Sequence, residues 1–380
     1  MSKKIALVGG GTGGHIMPIL SLVANLEQHR EKYSKTMQKR SNSNANREPE
    51  GTVRLYGEGG SEDLNSKNEF FHSFVWIGGK DSMEQDKADE AGIRFIPITT
   101  YKLTSTRSLG VLLYPFKLLQ GIFDARKVLR NEQPKLVFSK GGPGSVAVGI
   151  AAWSLRIPLY IHESDTVPGF SNKILGRFAT QVFLGFEEAR KWFPEHKTTV
   201  VGQILHPEFF TKNPTGDIEW KTKKKHIFVT CGSQGSRKIF QTLLDQKQDF
   251  PDTEWIISLG TLNRNMRAAF ENWKDTQIFD WIPQSDIPHI LDGAEMAITR
   301  ASATTLAELS TRPIHLMIIP LAISAGDHQL HNAQAYQRDG HTVILESDLE
   351  QSHIGNMLRS PHLIPHHDTE TKILPLLEIF

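Results

Sequence analysis

Residues 5–20 read IALVGGGTGGHIMPIL: an apolar run, a glycine cluster, then His15 and a second apolar segment. A short apolar run closed by glycines and followed by helical spacing predicts a buried strand, a tight loop and a helix packed behind it. Gly9, Gly11 and Gly14 satisfy G-x-G-x-x-G. Three readings compete for such a loop: a nicotinamide fingerprint, another nucleotide loop, or a turn rich in glycine for packing. The dinucleotide fold needs a second strand soon after the helix, carrying an acid about 20 residues past the glycines to hold a ribose. That place falls in a polar stretch here, and the next strand pattern, FHSFVWIGG, begins near His72. What remains is the physics of the loop, whose backbone N–H groups approach an anion at a helix N-terminus.

The same pattern recurs in KLVFSKGGPGSVAVGIAAWSL (135–155) and HIFVTCGSQGSRKIFQTLL (226–244), with further short runs FVWIGG, PLYIH, TEWIISLG and AEMAITRA. Strands alternating with helices predict an α/β protein whose parallel sheets are covered on both faces. The chain has 380 residues, enough for two domains of roughly 150 residues each. Residues 198–226, turn-rich and charged, read as the junction between two doubly wound domains. We place one at 1–202 and the other at 207–365, with a helix over 366–380 returning to the first. Residues 30–68 are polar, charged and poor in aliphatics, so a mobile insertion is expected there.

Lys and Arg total 43 against 42 Asp and Glu, which offers no overall electrostatic argument for nucleic acid. Cys231 is the only cysteine, so an intramolecular disulfide and a cysteine-rich zinc site are excluded, in keeping with a reducing compartment. The apolar core after Met-Ser-Lys-Lys is too short for a secretion signal, and no run reaches the roughly 18–20 apolar residues that span a bilayer. A cytosolic or membrane-surface protein is expected. Neither H-E-x-x-H nor D-x-D occurs, so a bound catalytic metal has no sequence support. His366 and His367 are adjacent, point apart and read as surface residues.

Several residues have two readings at this level. Gly232, Ser233, Gln234, Gly235 and Ser236 form either a second diphosphate cradle or a serine-capped helix start. Glu308, on a helix opening near Ser302, is placed either to accept two hydrogen bonds from a ribose diol or to face solvent. Asp327, His328 and Gln329 sit at a helix start, where capping and sugar binding are equally served. His15 is either a general base, since imidazole titrates near neutrality, or a packing residue.

Taken in order, these stretches resemble the MurG family, bacterial N-acetylglucosaminyltransferases that make lipid II. The family pattern, close to G-G-T-G-G-H, H-E-S-D, G-G-S-Q-G, R-A-G-A-S-T-x-x-E-L and D-H-Q-x-x-N-A, is met at residues 10–15, 162–165, 231–235, 300–309 and 327–333. The resemblance implies a GT-B architecture, two Rossmann-like domains, and inverting transfer of N-acetylglucosamine from its UDP donor to the MurNAc 4-hydroxyl of lipid I. It assigns Glu308 to the ribose, Ser233, Gln234 and Gly235 to the phosphates, and the Ile282 backbone to uracil with Trp281 beside it. Arg300 and Thr304 fall in the donor motif, and Asp165 and Gln329 near the transferred sugar. Thr12, Gly13 and Gly14 join the donor set, the Gly13 and Gly14 turn also matching the acceptor side, where His15 would be the base. Gly141, Gly142, Ser145, His162 and Glu163 match acceptor positions.

The chain departs from the family at His206, where an arginine would help neutralise the diphosphate; histidine is only partly charged near pH 7 and lacks the arginine fork. Cys231 and Ser302 replace glycines, and Pro143 with Gly144 replaces an aromatic-containing pair. No cofactor and no metal are implied; helix N-termini and loop N–H groups would stabilise the departing diphosphate. The implied partners are UDP-N-acetylglucosamine, lipid I and an anionic membrane surface at its cytoplasmic face, held peripherally, with no nucleic acid. An apolar patch around Val111 to Phe116, with Arg107, Lys117, Arg126, Lys127 and Arg130 nearby, would serve that surface; a core helix with a solvated outer face is the other reading. Two further functions stay open: another UDP-sugar enzyme of this architecture, such as a glycolipid glycosyltransferase or a UDP-N-acetylglucosamine 2-epimerase, and a degenerate sugar-nucleotide binder.

Overall fold

A computed structural model of the chain describes residues 4–45, 70–71, 73–100, 110–246, 250, 252–322, 327–352, 354–355 and 374–380, with backbone alone at 33–45, 110–114 and 374. The chain divides into two compact units: Met1–His162 with Phe170–Phe183 and Leu376–Phe380, and Glu163–Gly169 with Leu184–Pro375.

The first sheet contains β1 (Ile5–Val8), β2 (Phe74–Gly79), β3 (Arg94–Ile98), β4 (Leu136–Ser139), β5 (Leu159–Glu163), β6 (Gln181–Leu184) and β7 (Thr198–Val200), in the order β3-β2-β1-β4-β5-β6-β7. β1 runs parallel to β2 on one side and β4 on the other, pairing Ile5 with Phe74 and with Leu136. All of β1, β2 and β4 is buried, which is why these strands read as continuous apolar runs rather than alternating ones. The second sheet contains β8 (Lys225–Thr230), β9 (Thr253–Ser258), β10 (Thr276–Phe279), β11 (Met296–Thr299), β12 (His315–Ile318) and β13 (Thr342–Val343), in the order β10-β9-β8-β11-β12-β13. Ile227 and Val229 of β8 pack into one core and Phe228 into another, as a strand covered on both faces requires. The doubly wound α/β reading therefore holds in both units. In each, strand order reverses between the first strand and the fourth, at β1/β4 and β8/β11, and ligands of such sheets bind at the carboxyl ends of the strands flanking that reversal.

The polar segment differs from expectation over its first half. The helix that starts at Gly13 runs to Ala45, so residues 30–45 are helical rather than a mobile insertion. Glu, Lys, Gln, Arg and Met are good helix formers, and a helix nucleated on a buried first half propagates at low cost. Residues 46–69, including TVRLYG, lie outside the described residues, as do His366 and His367. At the other end Leu376–Phe380 pack within the first unit, where Lys135 donates to the Phe380 carbonyl at 2.6 Å and the Phe380 ring meets Phe138.

Candidate functional site

At the β1/β4 reversal of the first unit lies a cavity of about 250 Å³, lined by Gly10, Gly11, Thr12 and His15 from the first loop, Thr99 and Thr100 after β3, Gly142, Pro143 and Gly144 after β4, and Phe170 with Ser171. Two glycine loops press together here. Gly142 has φ +88°, and a Cβ on it would overlap the Gly10 carbonyl. His15 Nδ1 lies 3.0 Å from the Gly10 carbonyl and 3.1 Å from Thr12 Oγ1. A bond to the Gly10 carbonyl needs the hydrogen on Nδ1, whereas a bond from the Thr12 hydroxyl needs it on Nε2, so the two neighbours of Nδ1 favour opposite tautomers. Glu84, which nothing in its sequence neighbourhood singles out, accepts the Gly11 N–H at 3.1 Å. One N–H that a glycine loop would offer to an anion is thus occupied by the chain's own carboxylate. Gly141, Ser145 and His162 do not line the cavity: Ser145 and His162 are buried, and Lys140 donates to His162 Nδ1 at 2.7 Å.

In the second unit the loop after β8 is held from below. Thr261 N–H donates to the Ser233 carbonyl at 2.9 Å, Asn263 donates to the Gln234 carbonyl at 2.8 Å, and Gly235, at φ +75°, has no room for a Cβ beside Leu259. Gly232, at φ +74°, has open space above it. Ser236 then caps the helix Arg237–Asp245 by accepting from Ile239 N–H. Arg300, after β11, is buried and both its terminal nitrogens are engaged: it donates to Ser236 Oγ at 2.7 Å, to Glu346 at 2.5 Å and to the Ile319 carbonyl at 3.2 Å. Glu308 stands on the helix Ala303–Leu309, one turn past the buried Thr304. Burial pushes its carboxyl up to about 7, against the opposing hydrogen bond that Gln284 donates at 2.7 Å. Ile282 is buried in the core, and its neighbour Trp281 is 49% exposed.

Glu163 and Asp165 are held within this second unit. The Glu163 carboxylate accepts the N–H groups of Asp165 and Gly169 at 2.9 and 3.1 Å. Asp165 accepts from Asn332 at 2.8 Å. Gln329 accepts the Leu321 N–H at 3.0 Å, and Asp327 opens the helix His328–Arg338 from a left-handed conformation, φ +53°. His206 caps the 3₁₀ turn Pro207–Phe210, accepting from Glu208 N–H. Burial lowers its pKa, partly countered by the Glu208 carboxylate 3.5 Å away, so the ring is mostly neutral at pH 7. Cys231 is buried with its thiol pushed up to about 12 by desolvation, which removes it as a nucleophile.

Residues 68–184 match the glycosyltransferase family 28 N-terminal domain, and residues 226–361 match the family's C-terminal domain. A Staphylococcus carnosus protein named UDP-N-acetylglucosamine--N-acetylmuramyl-(pentapeptide) pyrophosphoryl-undecaprenol N-acetylglucosamine transferase is 32% identical over 371 residues, 95% of this chain and 89% of its own length. The chain belongs to the MurG family of glycosyltransferases. Acinetobacter baumannii MurG shares its fold, with a TM-score of 0.65 at 22% identity over 94% of this chain and 91% of that one. UDP-N-acetylglucosamine 2-epimerase of Methanocaldococcus jannaschii shares the fold as well, with a TM-score of 0.55 at 13% identity over 99% and 100% of the two chains. Fold alone therefore does not separate transferase from epimerase; the sequence relatives do.

Against this MurG family background one helix of the first unit stands out. Gly110–Glu132 exposes Phe116 (72%), Leu119 (54%) and Phe123 (70%), spaced so that they share one face. Lys117 and Lys127 are exposed on the same helix. Arg107 and the side chains of residues 111–114 lie outside the described residues. Among the described residues no helix is long and apolar enough to cross a membrane.

Proposed function

We propose that this chain transfers N-acetylglucosamine from UDP-N-acetylglucosamine to the MurNAc 4-hydroxyl of lipid I, giving lipid II for peptidoglycan. The observation that carries this reading is the 32% identity, across 95% of the chain, to a relative named for that transfer. In the reaction His15 takes the proton of the 4-hydroxyl, and the oxygen attacks the anomeric carbon from the face opposite UDP. The bond to the diphosphate breaks as the new bond forms, the configuration inverts, and UDP leaves with the electron pair. The cavity beside His15 belongs to the acceptor, and residues 1–202 form the acceptor and membrane-facing domain.

Residues 207–365 hold the donor. Gly232, Ser233 and Gln234 present N–H groups to the diphosphate, since a neutral His206 brings it little charge, while Gly235, whose N–H donates to the Gly232 carbonyl at 3.3 Å, closes the loop around it. Glu308 accepts the ribose hydroxyls, the Ile282 backbone reads uracil with Trp281 beside it, and Thr304 borders the phosphates. Asp165 and Gln329 lie near the transferred sugar. Arg300, already bonded to Ser236 and Glu346, acts by holding the phosphate loop rather than by touching the donor. The face carrying Phe116, Leu119 and Phe123 rests on anionic lipid at the cytoplasmic side of the membrane, with Lys117 and Lys127 meeting the head groups.

UDP release measured with and without a short-chain lipid I analogue tests the proposal. Acceptor-dependent release supports it. Release without acceptor, formation of the 2-epimer, or donor binding without turnover points to the other readings.

A further inference from the structure

The Gly10–Gly11 peptide group is bonded at both ends. Its N–H, on Gly11, donates to Glu84 Oε2 at 3.1 Å. Its C=O, on Gly10, accepts from His15 Nδ1 at 3.0 Å. Glu84 is 3% exposed and stands in the first turn of the helix Met83–Glu90, which Ser82 caps; its other oxygen accepts the N–H of Gly79, the last residue of β2, at 3.4 Å. Glycines make the room that this carboxylate and the peptide group occupy. A Cβ on Gly10 would overlap it, a Cβ on Gly78 would press on its Cγ at 3.0 Å, and a Cβ on Gly142 would overlap the Gly10 carbonyl. Three glycine loops are thus closed around one peptide group and one carboxylate.

We infer that Glu84 is a positioning residue for His15, acting through the Gly10–Gly11 peptide to hold the imidazole as its Nδ1–H tautomer. A carboxylate at the N–H end polarises the amide and makes its carbonyl a stronger acceptor, since hydrogen bonds in series reinforce one another. The stronger acceptor favours the hydrogen on Nδ1, which leaves Nε2 as the basic nitrogen, and a bond at one ring nitrogen sets the role of the other. Thr12 Oγ1, 3.1 Å from the same Nδ1, is able to donate to it and so favours the opposite tautomer; the polarised carbonyl decides between them. Glu84 itself touches no substrate in this scheme. The inference rests on the reading of His15 as the base, but the tautomer it assigns is a property of the free protein.

The test uses the full chain with ¹⁵N-labelled histidine, in wild type and in Glu84→Gln, which keeps the shape and an acceptor but removes the charge. Side-chain nitrogen shifts of neutral His15 in wild type are expected to show the hydrogen on Nδ1, and Glu84→Gln to raise the share carrying it on Nε2. In turnover the same variant is expected to lower kcat on the order of 10-fold or more, a part of the roughly 100-fold or more that general-base catalysis supplies, with KM for UDP-N-acetylglucosamine within about 2-fold of wild type. A wild-type His15 with its hydrogen on Nε2 overturns the inference without need of any variant. So does a folded Glu84→Gln protein whose tautomer balance or kcat matches wild type. If wild type shows the Nδ1–H form and the variant shifts it, while neither turns over lipid I, the relay stands and the proposed reaction fails.

Discussion

Asn332 holds Thr166 twice, accepting its backbone N–H and its hydroxyl on one oxygen, each at 3.0 Å, while its amide nitrogen donates to Asp165 at 2.8 Å and to the Ala301 carbonyl at 3.2 Å. The side chain is wholly buried, and a buried polar group stripped of its partner costs about 1–3 kcal/mol. Asn332→Ala removes the acceptor for two Thr166 donors and the donor to Asp165. It is expected to lower stability by about 2–3 kcal/mol on that basis, read from urea denaturation, and to raise KM for UDP-N-acetylglucosamine as Asp165 loses its anchor. A variant as stable as wild type, with unchanged KM, contradicts this.

Glu308 gives a pH dependence with a definite sign. Ribose hydroxyls donate to a carboxylate, so the diol binds the deprotonated form, and burial has raised the carboxyl to about 7. Donor affinity is expected to climb as pH rises from 6 to 8 and to level off above. Calorimetric titration with UDP-N-acetylglucosamine at several pH values checks this, and Glu308→Gln is expected to bind weakly with no slope. A flat wild-type profile, or equal affinity in the variant, takes Glu308 out of the donor site.

The doubly wound fold was legible because strands buried on both faces, such as β1 and β8, are unbroken apolar runs that end on glycine. The helix reaching Ala45 was not, because a polar run of good helix formers and a linker share one composition; only attachment to the buried start of the helix tells them apart. In the site, loops adjacent to strands could be read directly. Glu84 could not, since it meets Gly11 across 73 positions and lies in an acidic helix with nothing in its spacing to mark it. Arg300 was visible as a motif residue, but its pairing with Glu346 exists only in the folded chain.

The exposed face of Gly110–Glu132 predicts reversible membrane binding. Phe116→Ser combined with Phe123→Ser replaces two rings that are already exposed, so the melting temperature should hold. Co-sedimentation with vesicles containing anionic phosphatidylglycerol should fall several-fold, since each ring contributes buried apolar area at the interface. Undiminished sedimentation places the membrane contact elsewhere.

His15 separates catalysis from packing. His15→Ala should lower turnover roughly 100-fold or more, the scale of lost general-base catalysis, and leave UDP-N-acetylglucosamine affinity nearly unchanged. Normal turnover with a lowered melting temperature would assign His15 to structure.

The proposed transfer is tested most directly by following the sugar itself. Purified chain is mixed with radiolabelled UDP-N-acetylglucosamine and a short-chain lipid I analogue, and the label is traced by chromatography. One labelled N-acetylglucosamine per acceptor is expected, β-linked to the MurNAc 4-position, with an equal amount of UDP. Label that stays on the nucleotide, or moves to its 2-epimer whether or not lipid I is present, contradicts it.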